Sequence, residues 1–246
     1  MKILKPLALL AAVYLAVIPL SSCKSYQPAF EVNQFYSDFN ANVDFIDNNS
    51  YITIMPKNQD PAYVPESAIV FYPGGLVDYH AYLPLLTPCA EQGAACFIVK
   101  MPLDFAFMNK NAAGKLVKTH PGIKKWYIAG HSLGGAMAAS YAAEHSEDFE
   151  GLILLASFST HDLSDSGLKV LSIYGSNDEV LNLEKYNLYK TNLPPVGNGL
   201  TEIVLDGGNH AQFASYGAQK GDGTADITPE EQQQTTAAEI TRWAGL

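Results

Sequence analysis

Short apolar runs alternate with longer mixed segments along most of the chain. Ala68–Tyr72, Ala95–Lys100, Trp126–Ala129, Gly151–Ser157, Lys169–Tyr174 and Glu202–Leu205 are each mostly apolar and closely bounded by Gly, Pro or polar residues. Such runs suit strands covered on both faces of a parallel sheet; half-wet strands would alternate instead. Between them, His80–Glu91, about Phe105–Thr119, Leu133–Glu144, Leu183–Tyr189 and Glu230–Trp243 read as helices. The last has a clear start in Thr228-Pro229-Glu230-Glu231: a Thr cap, Pro in the first turn, and acids at the positive end of the dipole. Two further runs, Val43–Asp47 and Tyr51–Pro56, flank the turn Asp47-Asn48-Asn49-Ser50 and predict a hairpin. Repeated strand–helix alternation predicts an open, mostly parallel α/β sheet with helices on both faces. Ligands in such sheets bind beyond the carboxyl ends of the strands.

The first residues obey a different pattern. Lys2 and Lys5 precede an almost wholly apolar stretch, Pro6 to Leu20. As a helix it would span only about 22 Å, short of a hydrocarbon core of about 30 Å. It therefore reads as an export signal. It runs into Leu20-Ser21-Ser22-Cys23, which resembles a bacterial lipobox, and Cys23 is then the lipidated first residue of the mature protein. An ordinary secretory signal and a retained membrane anchor are the alternatives. The expected organisation is a signal peptide over 1–22, a tether over 23–41 with no clear period, and one α/β domain over 42–246. The expected location is the cell envelope, held to a membrane by lipid on Cys23, since several acyl carbons suffice for stable attachment.

Composition narrows the partners. The 246 residues carry a formal net charge of −10, and 48% are hydrophobic. That is ample for one sizeable core. An acidic chain without a Lys/Arg-rich run excludes nucleic acid as an expected partner. With Cys23 lipidated, only Cys89 and Cys96 remain as thiols. Buried free thiols are common at such positions, and an exported protein can instead join them. No Cys/His spacing resembles a zinc site. Gly221-Asp222-Gly223-Thr224-Ala225-Asp226 faintly resembles a calcium loop but lacks the alternating acids and terminal Glu. A loop bracing the nearby His210 is the preferred reading, and no metal or cofactor is expected.

The segments just past the strand ends carry the chemistry. Trp126–Ala129 runs into Gly130-His131-Ser132-Leu133-Gly134-Gly135 and then an Ala-rich helix. A bare Gly-x-Ser-x-Gly arises often by chance; between strand and helix it predicts a sharp turn lifting Ser132 above the sheet edge as a nucleophile. A nucleophilic serine needs a base. Asp206-Gly207-Gly208-Asn209-His210 comes after the last strand and offers His210. His131 lies inside the elbow, His120 in a connection and His145 at a helix end; these are expected to be solvated or packed. His80 and His161 can border the pocket. The base needs an orienting carboxylate. Asp178, three residues past Gly175, is the first choice; Asp162 after the preceding strand and the adjacent Glu179 are the other acids. Tyr72-Pro73-Gly74-Gly75-Leu76 can supply an oxyanion amide from Gly75 or Leu76, and Leu133 the second.

Together these residues resemble the compact α/β-hydrolases related to the dienelactone hydrolases, the fifth α/β-hydrolase group. The likeness spans about Ala68 to Ile240. It rests on Tyr72-Pro-Gly-Gly-Leu-Val-Asp-Tyr-His-Ala-Tyr82, Gly130-His-Ser-Leu-Gly-Gly-Ala-Met137, Gly175-Ser-Asn-Asp178 and Gly207-Gly-Asn-His210-Ala-Gln-Phe213, with Tyr216-Gly217 and Gly221-Asp222-Gly223 beyond. The resemblance implies the α/β-hydrolase fold and triad positions for Ser132, Asp178 and His210. Dienelactone hydrolases proper carry cysteine at the nucleophile, so Ser132 favours ordinary esters. Only Phe158 to Gly167 separates two of the strands, too little for a helical cap. The expected activity is hydrolysis of small or compact acyl esters through an acyl-enzyme. The alternative is a surface lipoprotein whose hydrolase scaffold serves binding.

Overall fold

The structure, a computed structural model, describes residues 24–60 and 62–246. Cys23 and the export signal lie outside the described residues. Eight strands form one sheet: β1 (Val43–Asp47), β2 (Tyr51–Pro56), β3 (Ser67–Tyr72), β4 (Ala95–Val99), β5 (Lys125–His131), β6 (Gly151–Leu155), β7 (Lys169–Gly175) and β8 (Leu200–Leu205). Their order across the sheet is β1-β2-β4-β3-β5-β6-β7-β8. The β1–β2 and β2–β4 pairs are antiparallel and all others parallel. The expected hairpin is thus the antiparallel edge of an otherwise parallel sheet.

Among the described residues six α-helices accompany it: α1 (Val32–Phe39), α2 (Leu83–Glu91), α3 (Ala112–Thr119), α4 (Leu133–Glu144), α5 (Leu183–Tyr189) and α6 (Pro229–Ala244). The inner strands bury side chains on both faces, as their continuous apolar runs require, whereas the edge strands β1 and β8 stay partly exposed. In β3, Ile69 and Phe71 face a core shared with Leu85 and Leu86 of α2 and Ile240 of α6. Ala68, Val70 and Tyr72 face the opposite core, with Leu116 of α3 and Ala138 and Ala139 of α4. The small residues of α4 let that helix lie close beneath the sheet. Its hydrophobic face is wide because it is buried almost all round.

Three segments differ from the sequence pattern. The helix expected over about Phe105–Thr119 is split into a 3₁₀ turn, Ala106–Asn109, and α3. The buried Tyr72 hydroxyl causes the break: it donates to the Lys110 carbonyl at 2.5 Å and accepts the Ala113 amide at 3.0 Å. His80–Glu91 becomes a 3₁₀ turn, Tyr79–Tyr82, and then α2, with Pro84 in its first turn. The segment read as a tether is packed on the domain from Lys24 onward. Tyr26 pairs with Val77, its amide donating to the Leu76 carbonyl at 2.7 Å. Phe30, Phe35, Tyr36 and Phe39 of the α1 region rest on the core beside Phe45. Val32, Phe35, Tyr36 and Phe39 of α1 fall at i, i+3, i+4 and i+7 on one helical face, a period that only eight residues carry and that the polar flanks obscure.

Candidate active site

The elbow after β5 is built by close backbone contact. Ser132 caps α4 with φ 52° and ψ −123°, outside every region favoured by residues with a Cβ. Holding such a conformation costs about 1–3 kcal/mol, which the surrounding packing must offset. Its amide donates to the Leu155 carbonyl at 2.9 Å, and its carbonyl accepts the Ser157 hydroxyl at 2.8 Å. Gly134 leaves no room for a side chain: a Cβ there would lie 2.0 Å from the Tyr72 carbonyl oxygen. One at Gly130 would lie 2.5 Å from the Gly134 backbone. These approaches bring the β3 and β5 loops together, and Ser132 sits at their junction, partly accessible.

The loop after β3 meets the elbow from the other side. An added Cβ at Gly75 would lie 3.1 Å from the Leu133 side chain, so the two candidate oxyanion positions are neighbours. Leu133 begins α4, and a first-turn amide has no intrahelical acceptor. Gly75 has no backbone partner among the described residues. The Leu76 amide, by contrast, donates to the Asp104 carbonyl at 2.8 Å. The Leu76 amide is thus occupied by Asp104, and of the three candidate amides those of Gly75 and Leu133 have no backbone acceptor among the described residues.

The acid–base side is assembled by hydrogen bonds. His210 Nδ1 lies 2.9 Å from Asp178 Oδ2, and both side chains are almost wholly buried. The other Asp178 oxygen accepts the amides of Val180 at 2.9 Å and Leu181 at 2.7 Å. Asp178 is thus fixed as an acceptor, and it holds the proton of His210 on Nδ1. The remaining nitrogen, Nε2, is then the one with a lone pair. It has no hydrogen bond to Ser132; catalytic bonds of this kind commonly tighten only when substrate is bound. Asp162 and Glu179 do not reach His210. Asp162 accepts the amide and hydroxyl of Ser164 at the surface, and Glu179 is exposed.

Three groups hold this arrangement, and of these the sequence pattern points only to the loop of the first. Asp222 accepts the amides of His210 at 3.2 Å, Ala211 at 2.8 Å and Gly223 at 2.9 Å, and contacts that of Glu179 at 3.4 Å. It ties the histidine loop to the acid loop, which is the bracing role read for the Gly221–Asp226 segment; its oxygens are spent on amides. Gln232 of α6 clasps Asn209 with a two-way amide pair, 3.0 and 2.8 Å. Tyr82 accepts the Gly74 amide at 2.8 Å and its hydroxyl shares a hydrogen bond with His131 Nδ1 at 2.9 Å, joining the β3 loop to the elbow. The His131 ring lies 4.6 Å from the His210 ring, so base and elbow adjoin. Burial, and then the nearby His210, hold the His131 pKa well below the usual imidazole value.

His120, His145 and His80 take structural places, and His161 is exposed in the loop after β6. His120 packs on Phe97 and Trp126, and His145 stacks on Tyr141. His80 lies 2.7 Å from Asp78 and 3.4 Å from Asp47. Cys89 and Cys96 are free and buried, and burial pushes the Cys89 thiol up to about 12. Among the described residues no cluster of His, Cys, Asp and Glu could hold a metal ion.

Residues 68–234 match the model of an alpha/beta hydrolase family. The chain belongs to that family. As an alpha/beta hydrolase it has structural counterparts at low sequence identity. It is similar to Est1E from Butyrivibrio proteoclasticus, at 16% identity and a TM-score of 0.57, over 83% of this chain and 100% of that one. It is similar to the thermophilic esterase Est2 of the Planctomycetes species Thermogutta terrifontis, at 18% identity and a TM-score of 0.55, over 83% and 92% of the two chains. A serine hydrolase without a lid from Xanthomonas campestris matches at 16% identity and a TM-score of 0.53, over 82% and 94%. No curated protein matches the chain in sequence. The fold is therefore the α/β-hydrolase fold. Between β6 and β7 of this alpha/beta hydrolase runs a short loop with no helix, so no cap stands over that edge.

Proposed function

We propose that this alpha/beta hydrolase is a serine esterase acting on small or compact acyl esters, with Ser132 as nucleophile, His210 as general base and Asp178 as its orienting acid. The observation that carries the reading is the buried 2.9 Å contact of Asp178 with His210 beside the strained Ser132 elbow. His210 Nε2 takes the Ser132 proton as Oγ bonds to the ester carbonyl carbon. The carbonyl oxygen becomes an oxyanion facing the amides of Gly75 and Leu133. The C–O bond to the alcohol breaks, and the leaving alkoxide takes the proton from His210. Water repeats the sequence, releasing the acid and restoring Ser132. Asp178 stays ionised throughout and stabilises the transient imidazolium. The uncapped β6–β7 edge supports compact acyl groups, because a chain end left in water gains little of the roughly 0.8 kcal/mol per buried methylene.

Phosphonate labelling and p-nitrophenyl ester turnover test the assignment. Ser132→Ala is expected to lose both while keeping the folded circular dichroism spectrum; undiminished turnover would reject it. A chain inert to the probe would instead be a binding scaffold. Across esters from acetate to palmitate, kcat/KM is expected to level off or fall beyond short acyl groups. A steady rise toward palmitate would show a deep acyl tunnel.

We further propose lipid anchoring through Cys23 in a bacterial cell envelope, supported by the Leu20-Ser21-Ser22-Cys23 junction. No helix among the described residues is long and apolar enough to cross a membrane. Cys23→Ser is expected to move the protein from the membrane fraction to the soluble one. Unchanged membrane association would reject the anchor.

A further inference from the structure

Three large apolar side chains stand exposed within six residues of each other: Leu103 (65%), Phe107 (56%) and Met108 (49%). Their loop lies after β4 and is held out by an unusual backbone. Leu103 and Asp104 both have positive φ, 54° and 56°. Two bonds fix the turn in that shape. The Asp104 carbonyl accepts the Leu76 amide at 2.8 Å, and its carboxylate accepts the Ser25 hydroxyl. Phe105 continues the surface inward: its ring lies 5.1 Å from that of Phe107, and an added Cβ at Gly75 would come within 3.9 Å of it. The apolar loop thus adjoins the amide side of the candidate site.

The chain enters the domain at the same place. Ser25, bonded to the neighbour of Leu103, lies two residues after Cys23. At no more than about 3.6 Å per residue, Cys23 is within roughly 8 Å of Ser25 along the chain. Lipid on Cys23 would therefore start within reach of this loop. Electrostatics supplies little of the contact, because the chain carries −10 overall, Lys110 next to Met108 is paired with Glu144 at 2.7 Å, and the exposed Lys24 is a single cation at the entry point. An apolar surface at the point of lipid attachment fits the interface of a bilayer, where side chains of this kind sit at the headgroup boundary.

We propose that the 103–108 loop is a membrane-docking surface: Leu103, Phe107 and Met108 enter the interface of the bilayer that holds the lipid, and the Gly75–Ser132 side of the site opens toward that bilayer. The orientation rests on the reading of Cys23 as the lipidated residue. The test uses the full-length chain, exported with its own leader and reconstituted into phosphatidylcholine vesicles. Phe107→Cys carries an environment-sensitive fluorophore, with Leu103→Cys as an independent second site. Leu188, 65% exposed on α5, is changed to Cys for comparison. Both native thiols of the domain are buried and should not label. The expected result is a blue shift at 103 and 107, with quenching by spin-labelled lipid several-fold stronger there than at 188. Equal quenching at all three sites would overturn the docking. A blue shift at 107 without lipid quenching, rising with protein density, would also overturn it, because a second copy would then cover the loop. Mass spectrometry of the N-terminal peptide separates the two claims. Acylated Cys23 with an unquenched loop removes the docking and keeps the anchor. Unmodified Cys23 with a quenched loop, on vesicles added from outside, keeps the docking and removes the anchor.

Discussion

The two halves of the site are held by different forces. Around Ser132 the backbone is fixed by contact: Gly130 and Gly134 admit no Cβ, and Ser132 itself is driven into a strained conformation. Around His210 the backbone is fixed by side-chain acceptors: Asp178, Asp222, Asn209 and Gln232 all bond main-chain groups of the loops that carry acid and base. Steric positioning is all or none, since an extra methyl forces a backbone shift. Positioning by several hydrogen bonds is graded, because losing one leaves the others. The nucleophile half should therefore fail abruptly under small substitutions, and the base half by degrees according to which bond is lost.

The largest effects are expected at the groups proposed to react. Asp178→Asn keeps the shape of the acid but cannot hold the proton on His210 Nδ1 or stabilise the imidazolium. In serine triads of this geometry the equivalent change lowers kcat by about 10⁴. A loss of that order is expected here in ester turnover, whereas Asp162→Asn, at a surface turn, should stay within a factor of about two of the parent, as surface changes usually do. Reversed effects would place the acid after β6 and dissolve the assignment. Gly134→Ala should be comparably severe for activity, because the new methyl would meet the Tyr72 carbonyl at 2.0 Å. A Gly134→Ala enzyme with near-parental kcat would show that the elbow is softer than its contacts imply.

Asp222 offers the graded case. Its carboxylate supports the backbone of His210 and Ala211 without touching the reacting atoms. Asp222→Ala should let the base drift, and misplacement of about 1 Å costs around 10² in rate. The expected signature is a fall in kcat with KM little changed, because the amides of Gly75 and Leu133 remain in place. Asp222→Asn should restore part of the loss, as an amide oxygen can still accept one of the bonds. Loss of stability with kcat intact would make Asp222 a purely structural brace.

The same contrast separates what is legible in the sequence from what is not. Steric positioning leaves marks in the chain: strand, Gly-x-Ser-x-Gly and small-residue helix lie together, so the elbow, β5 and α4 are readable. Asp178 and His210 are readable because each comes shortly after a strand end. The bracing groups are less so. Asp222 lies 12 residues past His210 in a loop that faintly resembles a cation site, and only the fold shows its oxygens filled by amides. The choice between Gly75 and Leu76 needs the Asp104 contact, which no local pattern encodes. Tyr72 breaking a helix 38 residues away is the same lesson in the fold. Strand existence depends on local composition, but helix continuity here depends on a side chain from elsewhere.

The smallest effect concerns His131, where the two halves touch. Its ring is buried against Tyr82, Phe213 and His210. Burial first, and the charge of His210 second, hold its pKa well below the usual value, so the folded ring stays neutral in mild acid. The unfolded chain takes up a proton near an ordinary imidazole pKa of about 6.5. Below that pH the unfolded state binds more protons than the folded one, and stability falls as pH falls. The slope is at most about 1.4 kcal/mol per pH unit for one group, and it ends when the folded ring itself protonates. His131→Asn removes the titration while keeping an acceptor for Tyr82. Urea unfolding of parent and variant at pH 7 and pH 5.5 isolates the effect, since the other histidines are common to both. The parent's advantage should shrink by about 1 kcal/mol over that interval. A widening gap would mean that His131 gains a proton on folding, drawn by Asp178 through His210. The ring beside the base would then carry charge in the resting protein, and the steric half of the site would not be electrically silent.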